Sequence, residues 1–229
     1  VVTPKAPILL IDGDELLHTT LAALEKETDW GNDVWGLSVN RAEAIAAIDR
    51  RFDGYIAAFK PVASIMAFTG PGVNWRKTLV DPTYKAARAK TRKPMCFAQL
   101  KEMALEGVLF GTTAKAVTRA TLEADDILGI LATKPVNRGK TVIISQDKDF
   151  LGVPGFLFRG EWGPKEHMLS WEHSGALVIK VDKAEADLWH LTQTLAGDVT
   201  DGYPGCPSIG AVTGKDLLEK GLKFLKTEK

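Results

Sequence analysis

The chain lacks the raw material of several protein classes. Its 229 residues include 2 cysteines, Cys96 and Cys206. They are too few and too far apart for a disulfide framework or a thiolate metal site, and this fits a reduced, cytosolic setting. The 4 histidines, His18, His167, His173 and His190, show no ligand spacing. Zinc held by imidazole is therefore not indicated, and each reads as a surface or packing residue. No apolar run approaches the roughly 18 residues of a membrane span. Val1-Val2-Thr3-Pro4-Lys5-Ala6-Pro7 has no signal-peptide pattern, and with no initiating Met it reads as the start of a trimmed chain. Net charge is absent too: 29 Lys and Arg balance 29 Asp and Glu. No global field marks a polyanion partner, so local asymmetry has to carry that argument. There is no internal repeat and no low-complexity tract.

What is present is an ordinary core-forming composition, 45% hydrophobic and 25% charged, enough for one large domain or a domain with a lobe. Ile8-Leu9-Leu10-Ile11 is a continuous apolar run ending at Asp12-Gly13-Asp14, the pattern of a strand buried on both faces. Leu16, Leu17, Leu21 and Leu24 then take helical spacing. A second helix is expected over about 39–59 and strands over 62–68, near 116–117 and over 140–145. Weaker strands are expected at 156–158 and 168–171. Helices are expected at 97–105, from Glu123 to about Lys134, at 182–195 and from about 212 to 224. Strands alternating with helices imply a mostly parallel α/β sheet.

The acids follow a pattern within this frame. Leu122-Glu123-Ala124-Asp125-Asp126-Ile127 places three carboxylates at the head of an apolar helix. Glu123 and Asp126 are spaced i, i+3 and share a face. Acids in a first turn also serve the helix dipole by themselves. Further pairs recur, however: Asp12/Asp14 and Asp147/Asp149 at strand ends, and Asp198/Asp201 elsewhere. Ligand sites in such sheets lie beyond the carboxyl ends of strands. Carboxylates gathered there repel one another and cannot all ionise without cations. All-oxygen ligands favour a hard ion, Mg²⁺ or Mn²⁺. Their number suits two ions, the arrangement used for phosphodiester cleavage.

From Pro71 to Met95 the basic residues are Arg76, Lys77, Lys85, Arg88, Lys90, Arg92 and Lys93, against Asp81 alone, with Trp75 and Tyr84 interleaved. This is a local polyanion footprint in a neutral protein. A solvated basic surface helix is the alternative, and the density, single sign and interleaved aromatics favour nucleic acid. The glycine-rich stretch 197–210 lies between two helices, where backbone N–H groups can meet a phosphate as in helix–hairpin–helix elements. Lys215, Lys220, Lys223 and Lys226 form a basic edge on the last helix.

Five motifs in order resemble the 5′ nucleases, the flap endonucleases and 5′→3′ exonucleases. They are Ile-Asp-Gly at Asp12, Tyr84-Lys85-Ala86-Ala87-Arg88, Glu123-Ala124-Asp125-Asp126, Ser145-Gln146-Asp147-Lys148-Asp149-Phe150 and Gly197-Asp198-Val199-Thr200-Asp201. Val73-Asn74-Trp75-Arg76-Lys77 and Leu188-Trp189-His190-Leu191 are most similar to exonucleases of short-tailed bacteriophages. The resemblance implies a Mg²⁺-dependent enzyme of the host cytoplasm acting on duplex or 5′-flapped DNA, with the RNA strand of a hybrid as a further substrate.

The resemblance also implies a division of roles. Asp12, Glu123, Asp125 and Asp126 would serve a first metal, and Asp147, Asp149, Asp198 and Asp201 a second, with Asp14 in the outer shell. Lys85 and Arg88 would contact the scissile phosphate from a helical arch at 71–95, with Tyr84 stacking on a base. Arg76, Lys77, Lys90, Arg92 and Lys93 would hold DNA. Gly205, Gly210 and Lys215 would do so in a helix–hairpin–helix element, where the family also binds K⁺. The expected organisation is an α/β nuclease core at 1–180 and a helical DNA-binding region at 181–229. Two departures stand out. The family's Asp at the end of the second strand is replaced by Thr69-Gly70, and the lysine of its Gly-Ile-Gly-x-Lys-Thr ending is absent from Ser208–Thr213.

Two other readings remain open at this level. A haloacid-dehalogenase-like phosphatase would use Asp12 and Asp14, but it expects Thr or Val where Leu16 stands and leaves Glu123, Asp125 and Asp126 unemployed. A DNA-structure-binding protein without turnover would keep the basic segment and spend no acids on metal.

Overall fold

The computed structural model describes residues 4–160 and 177–227. The strand expected at 168–171, together with His167 and His173, lies outside the described residues. The strands are β1 (Ile8–Asp12), β2 (Lys26–Asp29), β3 (Trp35–Ser38), β4 (Ala63–Thr69), β5 (Lys115–Arg119), β6 (Thr141–Ile144), β7 (Gly155–Arg159) and β8 (Leu177–Val181). The α-helices are α1 (Gly13–Leu24), α2 (Arg41–Phe59), α3 (Trp75–Leu79), α4 (Phe97–Leu105), α5 (Ala124–Thr133), α6 (Lys183–Ala196) and α7 (Ala211–Thr227).

The main sheet runs β5-β4-β1-β6-β7-β8. It is parallel throughout except for β8, which pairs antiparallel with β7. Strand periodicity sorts the core into two layers. Leu9 and Ile11 of β1, Met66 and Phe68 of β4, and Val142 and Ile144 of β6 face α1, α2 and α4. Leu10, Ala67 and Ile143 face the other way, onto Ala124, Ile127 and Leu128 of α5 and Phe150. A strand buried on both sides leaves no room for polar residues until the chain reaches the sheet edge. The first acids of β1 and of the β6 exit therefore emerge side by side.

From β1 the chain builds outward through β4 to β5, then returns to the other side of β1 at β6. That reversal opens a crevice beyond the ends of β1 and β6, the usual ligand position in open α/β sheets.

The hairpin β2–β3 has no counterpart in the sequence reading. Its first strand, Lys-Glu-Thr-Asp, is wholly exposed and carries no apolar alternation. It forms because Gly31, Asn32 and Asp33 take positive φ in the connecting turn, a conformation these residue types tolerate. Strand β8 was also unexpected. The basic segment contains α3 and a five-residue 3-10 helix, Ala86–Lys90, rather than one continuous helix, because Pro82 intervenes and Lys85 has φ of 54°.

Candidate active site

Asp12 ends β1 and caps α1, its Oδ1 accepting the Glu15 N–H at 3.0 Å. Ser145 follows β6, and its Oγ lies 3.2 Å from Asp12 Oδ2 and 2.7 Å from Glu15 Oε2. Glu15 also accepts the Gln146 N–H at 2.6 Å. Glu15 thus braces the loop that presents Asp147, a role missed in the sequence; its signal was the capping-box spacing Asp12-x-x-Glu15. The protein atoms crowded around half-buried Asp12 push its pKa up to about 8, and Glu15, Asp14 and Asp125 add to the shift.

Glu123 caps α5, with Asp126 Oδ2 accepting the Glu123 N–H at 2.9 Å. Glu123, Asp125 and Asp126 each bring one carboxylate oxygen within 4.8 Å of the others. No other three candidate ligands converge so closely among the described residues. Burial, then Glu123 and Asp126, raise Asp125 to about 6. This all-oxygen donor set, with Asp125 pushed toward neutrality by its surroundings, fits a hard divalent cation.

Basic residues fill the mouth of this cluster. Arg76 grips Asp126 with both terminal nitrogens, at 3.0 Å and 2.8 Å, and reaches Glu123 at 3.2 Å. Burial alone would lower the Arg76 pKa, but the Asp126 contact holds it above its ordinary value. Its guanidinium lies over Trp75 at 4.7 Å and Tyr84 at 5.5 Å. The Trp75 indole N–H donates to Asp126. Lys85 Nζ meets Glu123 at 2.8 Å, and Tyr84 Oη lies 2.8 Å from Glu123 and 3.2 Å from Asp201. Burial and these carboxylates raise the Tyr84 pKa, keeping the phenol protonated.

The second expected set is more dispersed. Asp147 caps the 3-10 helix Lys148–Gly152. Asp149 accepts from Gln193 of α6 at 2.6 Å, and its pKa is raised by burial and Asp147. Asp198 pairs with Lys148 at 3.0 Å; its partial burial is outweighed by this contact and the Thr200 amide, which lower its pKa. Asp201 turns toward the basic segment instead, 3.1 Å from Arg88 and 3.8 Å from Lys85, while its carbonyl accepts the Lys85 N–H. A cleft of about 480 Å³ joins the groups, lined by Arg76, Tyr84, Asp125, Asp126, Asp149 and Asp201 among others.

The 5′-3′ exonuclease N-terminal resolvase-like domain profile matches residues 7–154. The chain belongs to the 5′–3′ exonuclease family. Among the relatives of this 5′–3′ exonuclease family member, the exodeoxyribonuclease of Enterobacteria phage T3 is 36% identical over 208 residues, 89% of this chain and 63% of that protein. The exonuclease of Escherichia phage T7 is 34% identical over 216 residues, 92% and 66%. The chain thus spans less than two thirds of these phage relatives. The flap endonuclease Xni of Shewanella woodyi is 32% identical, covering 92% of this chain and 76% of its own length. The phage T5 D15 protein, crystallised with metal ions, shares the fold with a TM-score of 0.60 at 17% identity, over 93% of this chain and 74% of that one.

Other expected residues of this family member stand apart from the cluster. Arg92 forks onto Glu25 at 2.8 Å and 2.7 Å, and Lys93 lies 4.5 Å over the Phe97 ring. Lys77 is half-buried on α3, and Lys90 is exposed. A Cβ on Gly205 would meet Gly197 N at 2.4 Å, so the two glycines let the turns after α6 touch backbone to backbone. Gly210 is open at the head of α7, and Lys215 is exposed beside Glu219. His18 and His190 are exposed.

Two further features were not foreseen. Gly70, directly after Thr69, packs so tightly that a Cβ there would lie 1.6 Å from the Arg119 carbonyl oxygen. Lys101 of α4 donates to the Thr69 carbonyl and stands 3.8 Å from Asp14. Burial lowers the Lys101 pKa and Asp14 opposes the shift. On α4 this lysine follows Leu100 and gives no sign in sequence of facing the site.

Proposed function

We propose that the protein is a divalent-metal-dependent nuclease that hydrolyses phosphodiester bonds from 5′ ends or at 5′ flaps of duplex DNA, and of RNA paired to DNA. The observation that carries this reading is the meeting of Glu123, Asp125 and Asp126 with Lys85, Tyr84 and Arg76 at one cleft. Anionic ligands for a cation and cationic ligands for a phosphate share the same few ångströms. The 5′–3′ exonuclease family membership points the same way.

In this reading Asp12, Glu123, Asp125 and Asp126 hold one Mg²⁺ or Mn²⁺. Asp147, Asp149, Asp198 and Asp201 hold a second. Bound there, such ions act as Lewis acids on the phosphoryl oxygens and make water a better nucleophile. Lys85 and Arg88 exchange their present carboxylate partners for the scissile phosphate, and Tyr84 becomes free to stack on a base. Arg76 stays with Asp126 and limits the negative charge facing the substrate. Lys77, Lys90, Arg92 and Lys93 hold flanking phosphates. The α6–α7 turn, through Gly205, Gly210 and Lys215, would grip the duplex and hold a K⁺ that supplies positive charge toward the DNA, making 181–229 the DNA-holding region beside the core at 1–180.

The test is cleavage of a duplex carrying a labelled 5′ flap, in Mg²⁺, Mn²⁺ or EDTA, for wild type and Asp125→Asn. Metal-dependent product lost in the variant is expected, and product length separates end trimming from flap removal. Tight binding without product in either metal would leave a DNA-structure-binding protein.

A further inference from the structure

Thr69, at the end of β4, makes three contacts that tie separate parts of the site together. Its N–H donates to Asp14 Oδ2 at 2.7 Å. Its carbonyl accepts the Lys101 ammonium, and its Oγ1 accepts the Ala124 N–H at 3.3 Å beside Glu123. The other Asp14 oxygen, Oδ1, is buried without a hydrogen-bond partner, and Lys101 Nζ stands 3.8 Å from it. Lys101 is carried on α4, and its Nζ lies over the ring of Phe68, 5.7 Å from the ring centroid. The head of the lysine is therefore held on the acidic side of the sheet edge rather than in solvent. Next in the chain, Gly70 leaves no space for any side chain against Arg119. No carboxylate is available at that position to compensate the ammonium, and Asp14 is the acid that does so.

We propose that Lys101 is a built-in cation that neutralises Asp14 and sets how strongly the neighbouring Asp12, Glu123, Asp125 and Asp126 attract a divalent ion. The inference rests on the metal reading of those acids. A fixed positive charge at the rim opposes a second positive charge placed beside it, and the opposition is strong where surrounding protein limits screening. It also withholds Asp14, whose partnerless oxygen would otherwise add to the pull on the ion. Lys101 is thus a positioning and charge-setting residue that need not touch substrate. A site with this lysine binds its first ion more weakly than one in which Asp14 is free.

The test is calorimetric titration of the full chain with Mn²⁺ at fixed pH, without nucleic acid. Lys101→Met should tighten binding by about tenfold, a change of about 1.4 kcal/mol. Lys101→Arg, which keeps the charge, should stay near wild type. Asp14→Asn leaves the lysine uncompensated and should weaken binding. Lys101→Met combined with Asp14→Asn should return toward wild type. These opposite signs separate charge from misfolding, which would weaken binding in every variant. Mn²⁺ bound by wild type with the same affinity in Lys101→Met, or more weakly there, would overturn the inference alone. No binding by any of the proteins would overturn it together with the metal reading.

Discussion

Arg76 and Asp126 are joined through both terminal guanidinium nitrogens and both carboxylate oxygens, at 3.0 Å and 2.8 Å. The pair is 50 residues apart in sequence and shuts the basic segment onto the head of α5. Such forked pairs are the strongest of charged hydrogen bonds. The guanidinium does part of what a cation would do, holding together carboxylates that repel.

Arg76→Ala should therefore cost about 2 kcal/mol of unfolding free energy in EDTA, the scale of hydrogen bonds to charged groups. Urea denaturation measures it. Saturating Mn²⁺ should recover part of the loss, because an ion can replace the missing charge. Equal losses with and without Mn²⁺ would show that Arg76 serves packing alone.

The acidity of Asp12 gives a pH dependence with a definite sign. Its folded-state pKa is raised from the ordinary 3.8 to about 8. Over that window the folded chain holds a proton that the unfolded chain has released, so stability falls as pH climbs from about 4 to about 8. The metal-free melting temperature of wild type should drop relative to Asp12→Asn across this range. Mn²⁺ should reverse the drop in wild type and not in the variant. A wild-type-minus-variant difference that stays flat with pH would reject the burial assigned to Asp12.

Glu25 binds Arg92 and the Met95 N–H, anchoring the far end of the basic segment to the start of the hairpin. The Arg92 hydrogen bond, then the Met95 N–H, lower Glu25 to about 2. A depressed acid stabilises the fold above its unfolded pKa and loses that effect as pH falls toward the folded value. Proteolytic nicking within 85–95 should therefore be slow at neutral pH and several-fold faster in Glu25→Gln, as expected for a loop released from its anchor. A nicking rate unaffected by the substitution would mean that the segment is held elsewhere.

Placing an acid at position 70, next to Thr69, should not add a ligand. The Arg119 carbonyl oxygen would lie 1.6 Å from the new Cβ, so Gly70→Asp should destabilise by about 3 kcal/mol or more. It should do so without tightening Mn²⁺. Thermal melting and the same titration decide it, and a stable variant with stronger Mn²⁺ binding would count against the backbone packing described.

Much of the fold was legible because its signals are local. The β1, β4 and β6 runs are apolar on both faces, and the acids that follow β1 and β6 stand where a parallel sheet must surface. Helix α4 and the start of α5 were placed by periodicity and by Glu123. The hairpin β2–β3 was not legible, because its first strand is polar and exposed and is held by turn geometry rather than burial. The direction each charged side chain takes was equally hidden. Arg76, Lys85, Arg88 and Arg92 look alike as a basic run, yet they close on Asp126, Glu123, Asp201 and Glu25 respectively.

By itself the sequence determined which residues carry charge, which runs are buried, and hence that Asp12, Glu123 and Asp147 come out at one edge of a parallel sheet. Hydrophobic periodicity is written residue by residue and needs no distant partner. Only the tertiary structure decided which oxygens converge, that Asp201 faces the basic segment while Asp149 and Asp198 find Gln193 and Lys148, that Gly70 has no space beside Arg119, and that Lys101 reaches Asp14. Those outcomes depend on which elements pack against each other and at what separation, and electrostatic pairing changes steeply over those few ångströms.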